Sequence, residues 1–280
     1  MFLVALGGLH CFAYLNTPDL EAPRIVAAYF FNDQDSKTTP FLNDPTPADS
    51  VLIAAFDLVK GPLTECEAKN FEGCIDYDRI RLIKERKLSL LVDIAREWGS
   101  GEDKAFFKDF NRVSKLLLKL IKVGADGINF DEYLYWTANP DASNPPINEI
   151  FPQQFQKFKS KAMRLNPNVF LIFTEVSIDL VKWFIAAGGR PDVIALAWYT
   201  VSPKTARSQF SEIKVLARKN KILSGFWVDP TSYDKTGETL DNQDVLLMWN
   251  LCWQGTQTCP DEPMGTRWLN WKKVKQKANL

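Results

Sequence analysis

Gly124-Ala125-Asp126-Gly127-Ile128-Asn129-Phe130-Asp131-Glu132-Tyr133 is a ten-residue segment that joins three signals. Gly124 stops the amphipathic stretch Asp103–Val123, in which Phe106, Phe107, Phe110, Val113, Leu117, Leu120 and Ile121 recur at helical spacing. Gly127–Asp131 then has the length and apolar content of a buried strand, and two carboxylates, Asp131 and Glu132, stand at its end. A helix, then a buried strand ending in acid, is one repeat of a parallel sheet wrapped by helices.

The same alternation runs outward in both directions. Upstream, Arg24–Phe31, Val51–Leu58 and Leu88–Ile94 read as strands; downstream come Val169–Thr174, Val193–Tyr199 and Ile222–Val228, with an eighth expected near Arg267–Trp271. Pro152–Arg164, Ser177–Ala187 and Lys204–Lys219 read as intervening helices, the second with a serine N-cap and a Gly188-Gly189 stop. Leu240–Trp253 fits either a seventh helix or the eighth strand, and its length favours helix. Eight strands alternating with helices in 280 residues predict α/β architecture: one (β/α)₈ barrel over residues 14–280.

Lys and Arg number 34 and Asp and Glu 34, so no global positive field favours nucleic acid or anionic lipid. The one histidine, His10, lies in the apolar run Phe2–Leu15, which removes Ser-His or Cys-His nucleophiles and histidine-rich zinc sites from the fold. No metal and no cofactor are expected, and Asp, Glu, Tyr and Lys remain for acid–base work. Residues 1–13 are too short to span a bilayer and read as a signal peptide, the alternative being a buried first strand. Beyond Cys11, Cys66 and Cys74 form one close pair and Cys252 and Cys259 another. Each can close a short loop in an oxidising compartment, or remain reduced in a cytosolic one. A secreted monomer without membrane insertion is the expectation.

Side chains at the C-terminal ends of barrel strands face the open mouth. Those positions here hold Asp57, Asp93 with Glu97, Asp131 and Glu132, Glu175, Tyr199 and Asp229. One carboxylate after a strand is commonly a helix cap or an ion-pair partner. Recurrence on several strands points instead to a cleft that needs a proton donor and a second carboxylate, as glycoside hydrolysis does without an imidazole. Along the fourth strand Asn129 and Asp131 share a face, and Glu132 points the other way unless the strand ends or bulges there. Trp136, Trp198, Trp227, Trp268 and Trp271 lie near strand ends, where they pack between barrel and helices or stack on sugar rings.

The segment Asp126–Tyr133 resembles the fourth-strand signature DGxDxDxE of the family 18 glycoside hydrolases, the chitinases and chitinase-like proteins. Asp126, Asn129 and Asp131 fall on its acidic positions, with Asn for one Asp; Tyr133 falls where the family has its proton-donating Glu, and Glu132 is one residue early. Trp198-Tyr199 resembles the sixth-strand motif whose Tyr contacts the substrate N-acetyl group, and Ile222–Pro230 resembles the seventh strand of plant-type members. The resemblance implies an amino-sugar glycan or polysaccharide ligand, and for a hydrolase Asp131 with either Glu132 or Glu175 is the expected catalytic pair. Asp126, Asn129, Trp198, Tyr199, Asp229 and Trp268 are the expected substrate-binding residues. It equally implies, through Tyr133, a lectin or inhibitor that has lost catalysis. A fainter, positional resemblance to α-amylase-type barrels would make Asp131, Glu175 and Asp229 nucleophile, acid and stabiliser.

Overall fold

The structure, a computed structural model, describes residues 25–30, 51–55, 58–59, 62–85, 89–94, 104–137, 150–197, 203–228 and 245–248. Eight parallel strands close on one another in chain order: β1 Ile25–Phe30, β2 Val51–Ala55, β3 Ser89–Ile94, β4 Gly127–Asp131, β5 Phe170–Glu175, β6 Val193–Ala197, β7 Leu223–Val228 and β8 Val245–Met248. The fold is therefore an α/β (β/α)₈ barrel. Helices intervene: α1 Leu63–Ala68, α2 Tyr77–Glu85, α3 Lys104–Lys108, α4 Phe110–Lys122, α5 Tyr133–Thr137, α6 Phe151–Leu165, α7 Ile178–Ala186 and α8 Pro203–Asn220.

Closure corrects one expectation. The eighth strand lies at Val245–Met248, inside the apolar run that its length suggested was helical, and it pairs with both β7 and β1. A short run apolar on every side looks the same whether it is a buried strand or a buried helix turn. The need to satisfy the open edges of β1 and β7 decides for strand. The proposed strand at Arg267–Trp271 lies outside the described residues, as do residues 1–13 and the Cys252–Cys259 pair. The single long helix expected over Asp103–Val123 is two, broken at Asp109, whose side chain accepts the Asn111 backbone N–H at 2.9 Å and so caps α4.

Alternation sorts the strand residues into two layers. Leu90, Val92 and Ile94 of β3, Ile128 and Phe130 of β4, and Leu171 and Phe173 of β5 belong to the core between barrel and helices. There Phe130 packs against Phe110, Phe155 and Phe158, and Phe173 stacks on Phe184 with centroids 3.9 Å apart. Residues between these face the barrel axis. At the narrow lower end Gly127 is required: a Cβ there would stand 2.7 Å from Phe170 O and 2.7 Å from a Leu91 methyl.

Two matching clasps tie the lower end. Asp126, just before β4, donates its backbone N–H to Leu90 O of β3, accepts the Leu90 N–H on Oδ2 at 2.7 Å, and pairs with Lys84 of α2. Asp192, just before β6, does the same with Leu171 of β5 and Lys159 of α6.

On the other side of β2 the chain makes an excursion that returns through an antiparallel bridge, Val59 to Ile75, and is braced by the Cys66–Cys74 disulfide. The first cysteine pair read from spacing is thus joined. The excursion docks on the helix layer through Phe71 against Phe106 and through Glu67, which accepts from Arg112 at 2.7 Å and lies 3.5 Å from Lys115.

Candidate functional site at the barrel mouth

Register brings polar residues of three neighbouring strands together below the mouth. Asp93 lies beside Asn129, and Asp131 beside Thr174. The Asn129 carboxamide spans the group: its Nδ2 donates to Asp93 Oδ1 at 2.6 Å, and its Oδ1 accepts from Thr174 Oγ1 at 2.8 Å. Asp93, Asn129 and Thr174 are wholly buried and Asp131 nearly so. A polar layer inside an apolar barrel is costly unless its hydrogen bonds are made. The amide makes two of them and fixes the floor of the mouth.

Thr174 belongs to this floor although the sequence reading passed over it. Its signal was available in the alternation: a residue paired with Asp131 across a parallel ladder shares its face. Asp126, the first acid of the same motif, is not brought to the mouth. It sits at the opposite end of β4, in the lower clasp.

Glu175 follows Thr174 and therefore takes the other face. It is paired with Leu196, a residue of the barrel–helix core, and its Oε1 accepts the Leu134 backbone N–H of α5 at 2.8 Å. Its Oε2 has no hydrogen-bond partner among the described residues. Full burial holds the Glu175 carboxyl well above the usual carboxylate range; the Leu134 and Tyr135 N–H groups oppose the shift, and the charge of Glu132 adds to it. Asp131 and Glu175 thus occupy opposite faces, which separates the pair that an α-amylase-type site would need on one side.

Tyr133, which falls on the donor position of the chitinase motif that the sequence resembles, turns into the helix layer. Its ring stacks on Phe151 at 5.1 Å and meets Phe110 and Phe130 edge-on, and its hydroxyl donates to Phe107 O at 2.7 Å. Burial, with the Asp109 charge as a smaller contribution, pushes its ionisation far above the ordinary tyrosine value, so it is a neutral hydrogen-bond donor at every physiological pH.

Glu132 is the residue where the strand stops. Its φ is +52°, in the left-handed region, and its backbone N–H donates to Thr174 O at 2.8 Å. A left-handed residue ends the alternation, so the parity rule that would send Glu132 to the helix side does not carry past Asp131. The side chain is half-buried and close enough to Glu175 to act on its charge. Trp198, Tyr199, Asp229 and Trp268 lie outside the described residues. Among the described residues no group of His, Cys, Asp and Glu is placed to hold a metal ion.

No family model matches the chain, and no curated protein matches it. Solved structures do. A candidate α-L-fucosidase from Bacteroides thetaiotaomicron superposes with a TM-score of 0.60 at 10% identity, over 94% of this chain and 96% of that one. KGPDC from Streptococcus mutans gives 0.52 at 7% identity over 90% and 97%. A candidate phosphonomutase from Burkholderia cenocepacia gives 0.50 at 12% identity over 86% and 90%. At such identities the likeness establishes the barrel and leaves chemistry to the site itself. Nothing in these names singles out family 18.

Proposed function

We propose that this chain is a carbohydrate-active barrel of the chitinase-like kind, which holds an amino-sugar glycan at its mouth without the family's proton donor. The observation that carries this reading is the pair formed by Asp131 and Tyr133. The axis-facing positions of the motif hold Asn129 and Asp131, level with Asp93 and Thr174 on the neighbouring strands. The position that should supply the proton is a tyrosine buried among Phe110, Phe130 and Phe151. Carboxylate and carboxamide acceptors suit the hydroxyl and acetamide N–H donors of an amino sugar. A neutral tyrosine in the helix layer cannot protonate a glycosidic oxygen at the mouth. The Cys66–Cys74 disulfide supports a secreted protein, and among the described residues no helix is long and apolar enough to cross a membrane.

A second reading, hydrolysis with Glu132 as the acid, is favoured by one observation: the left-handed turn at Glu132 releases its side chain from strand alternation. One experiment separates the two. The purified protein is titrated with chitin oligosaccharides by calorimetry and incubated with them across a broad pH range. Binding without product release supports the first reading; product release that is lost in Glu132→Gln and Asp131→Ala establishes the second. A protein that neither binds nor cleaves these sugars would end both.

A further inference from the structure

Three successive residues at the exit of β4 are each tied down, two to β5 and one to α3. Glu132 donates its backbone N–H to Thr174 O of β5. Tyr133 donates its hydroxyl to Phe107 O of α3. Leu134 donates its backbone N–H to Glu175 Oε1, at the end of β5. The residue at the start of this clamp, Glu132, has a positive φ, a conformation that strains any side chain with a Cβ and that glycine adopts freely. Strain of this kind persists only where the surroundings over-determine it, and it gathers at functional sites.

The identity of the strained residue carries the argument. All three anchoring bonds use backbone groups or the side chains of Tyr133 and Glu175, so glycine at 132 would keep each of them and remove the strain. What glycine lacks is the carboxylate. The left-handed glutamate directly follows the inward-facing Asp131, and the next two residues are bonded through a buried tyrosine hydroxyl and a wholly buried glutamate.

We propose that Glu175 and Tyr133 are positioning residues for Glu132: they lock the left-handed exit of β4 so that the Glu132 carboxylate stands at the rim of the mouth and contacts the ligand. Glu175 is thereby reassigned from reacting group to support. The ligand-contact half of this proposal rests on the reading of the mouth as a glycan site; the clamp half does not.

The test compares the wild-type protein with Glu175→Leu, Glu175→Gln and Tyr133→Phe. Two readouts are taken: amide hydrogen exchange at Glu132, Leu134 and Tyr135, and affinity for chitotetraose. Leucine cannot accept the Leu134 N–H, whereas the glutamine amide oxygen can. Glu175→Leu is expected to speed exchange at these amides tenfold or more and to weaken chitotetraose at least tenfold, with Glu175→Gln close to wild type in both. Tyr133→Phe, which removes one hydroxyl from an otherwise intact ring, should speed the same amides and serves if Glu175→Leu does not fold. Glu132→Gly should melt above Glu132→Ala, because only glycine relieves the strain, and should lose chitotetraose binding. Unchanged exchange in both Glu175→Leu and Tyr133→Phe overturns the clamp, whatever the ligand. Wild-type affinity in Glu132→Gly overturns the ligand contact. If the wild-type protein binds no chitotetraose, the glycan reading fails separately, and with it the ligand contact, while the exchange data still decide the clamp.

Discussion

Tyr133 donates its hydroxyl to the carbonyl of Phe107 across 2.7 Å of the aromatic layer between barrel and helices. That bond holds Tyr133 in the helix layer, on the far side of β4 from the inward-facing Asp131. The environment matches the residue: the socket built by Phe110, Phe130 and Phe151 holds a ring.

Placing the chitinase-type glutamate at this position should accordingly fail. Tyr133→Glu would bury a carboxyl among phenyl rings and is expected to destabilise the fold by roughly 3 kcal/mol or more, without creating chitinase activity. Tyr133→Phe leaves the Phe107 carbonyl without this donor and should cost about 1–2 kcal/mol. Denaturant titration of both variants, with a chitin-oligosaccharide assay on the first, checks the order. A Glu variant that is stable and hydrolytic would show that position 133 can reach the mouth.

Glu175 makes stability depend on pH in a defined direction. Burial, reinforced by Glu132, raises its folded-state ionisation above the ordinary glutamate value of about 4.3. Between that ordinary value and the raised one, the folded protein holds a proton that the unfolded chain has released. Stability contributed by this group therefore falls as pH rises through the window. Glu175→Gln, which is always neutral, is free of the penalty. Its melting temperature relative to wild type should climb from about pH 4 upward, and a difference that is flat or declining with pH would refute the assignment.

Asn129 is the keystone of the mouth floor. Asn129→Leu removes the donor to Asp93 and the acceptor from Thr174, leaving two buried groups without this partner, and should cost roughly 2–4 kcal/mol. Asn129→Asp, which matches the family motif but sets a second carboxylate beside Asp93, should also destabilise near neutral pH and recover as pH is lowered. Thermal unfolding near neutral pH and again in mild acid distinguishes the two variants.

The lower clasps should matter for stability alone. Asp126→Ala and Asp192→Ala each remove an acceptor for a backbone N–H and a lysine partner, at about 1–3 kcal/mol apiece. The clasps share no partner, so the double variant should come close to the sum. Both variants should bind chitin oligosaccharides as the wild-type protein does, since neither aspartate lies at the mouth. A selective loss of binding in Asp126→Ala would return that residue to the site.

The architecture was legible because it rests on local pattern. Buried parallel strands are short all-apolar runs, the helices between them carry a 3.6-residue period, and Ser177, Gly124 and Gly188 mark ends with residues whose backbone chemistry fits an end. Where the pattern is locally degenerate, as at Val245–Met248, the reading leaned to helix and only the pairing with β1 and β7 resolved it. The eight-residue spacing of Cys66 and Cys74 announced a closable loop, and the bridge is there.

The candidate site was legible as a list of carboxylates and illegible as an arrangement. Residue order by itself determined that acids gather at strand ends, that Asn129 and Asp131 share a face, and that Tyr133 falls on the donor position of the chitinase motif it resembles. Tertiary structure alone decided that Asp126 belongs to the opposite end of the barrel, that Thr174 completes the floor, and that Glu175 supports α5 from the outer face. It also decided that the chain turns left-handed at Glu132. The physical reason is that alternation is a rule internal to one strand: it predicts relative facing, and it lapses at the residue where the backbone leaves the ladder. Which way a side chain goes from there depends on partners distant in sequence, here Thr174, Phe107 and Glu175, whose positions only the closed barrel supplies.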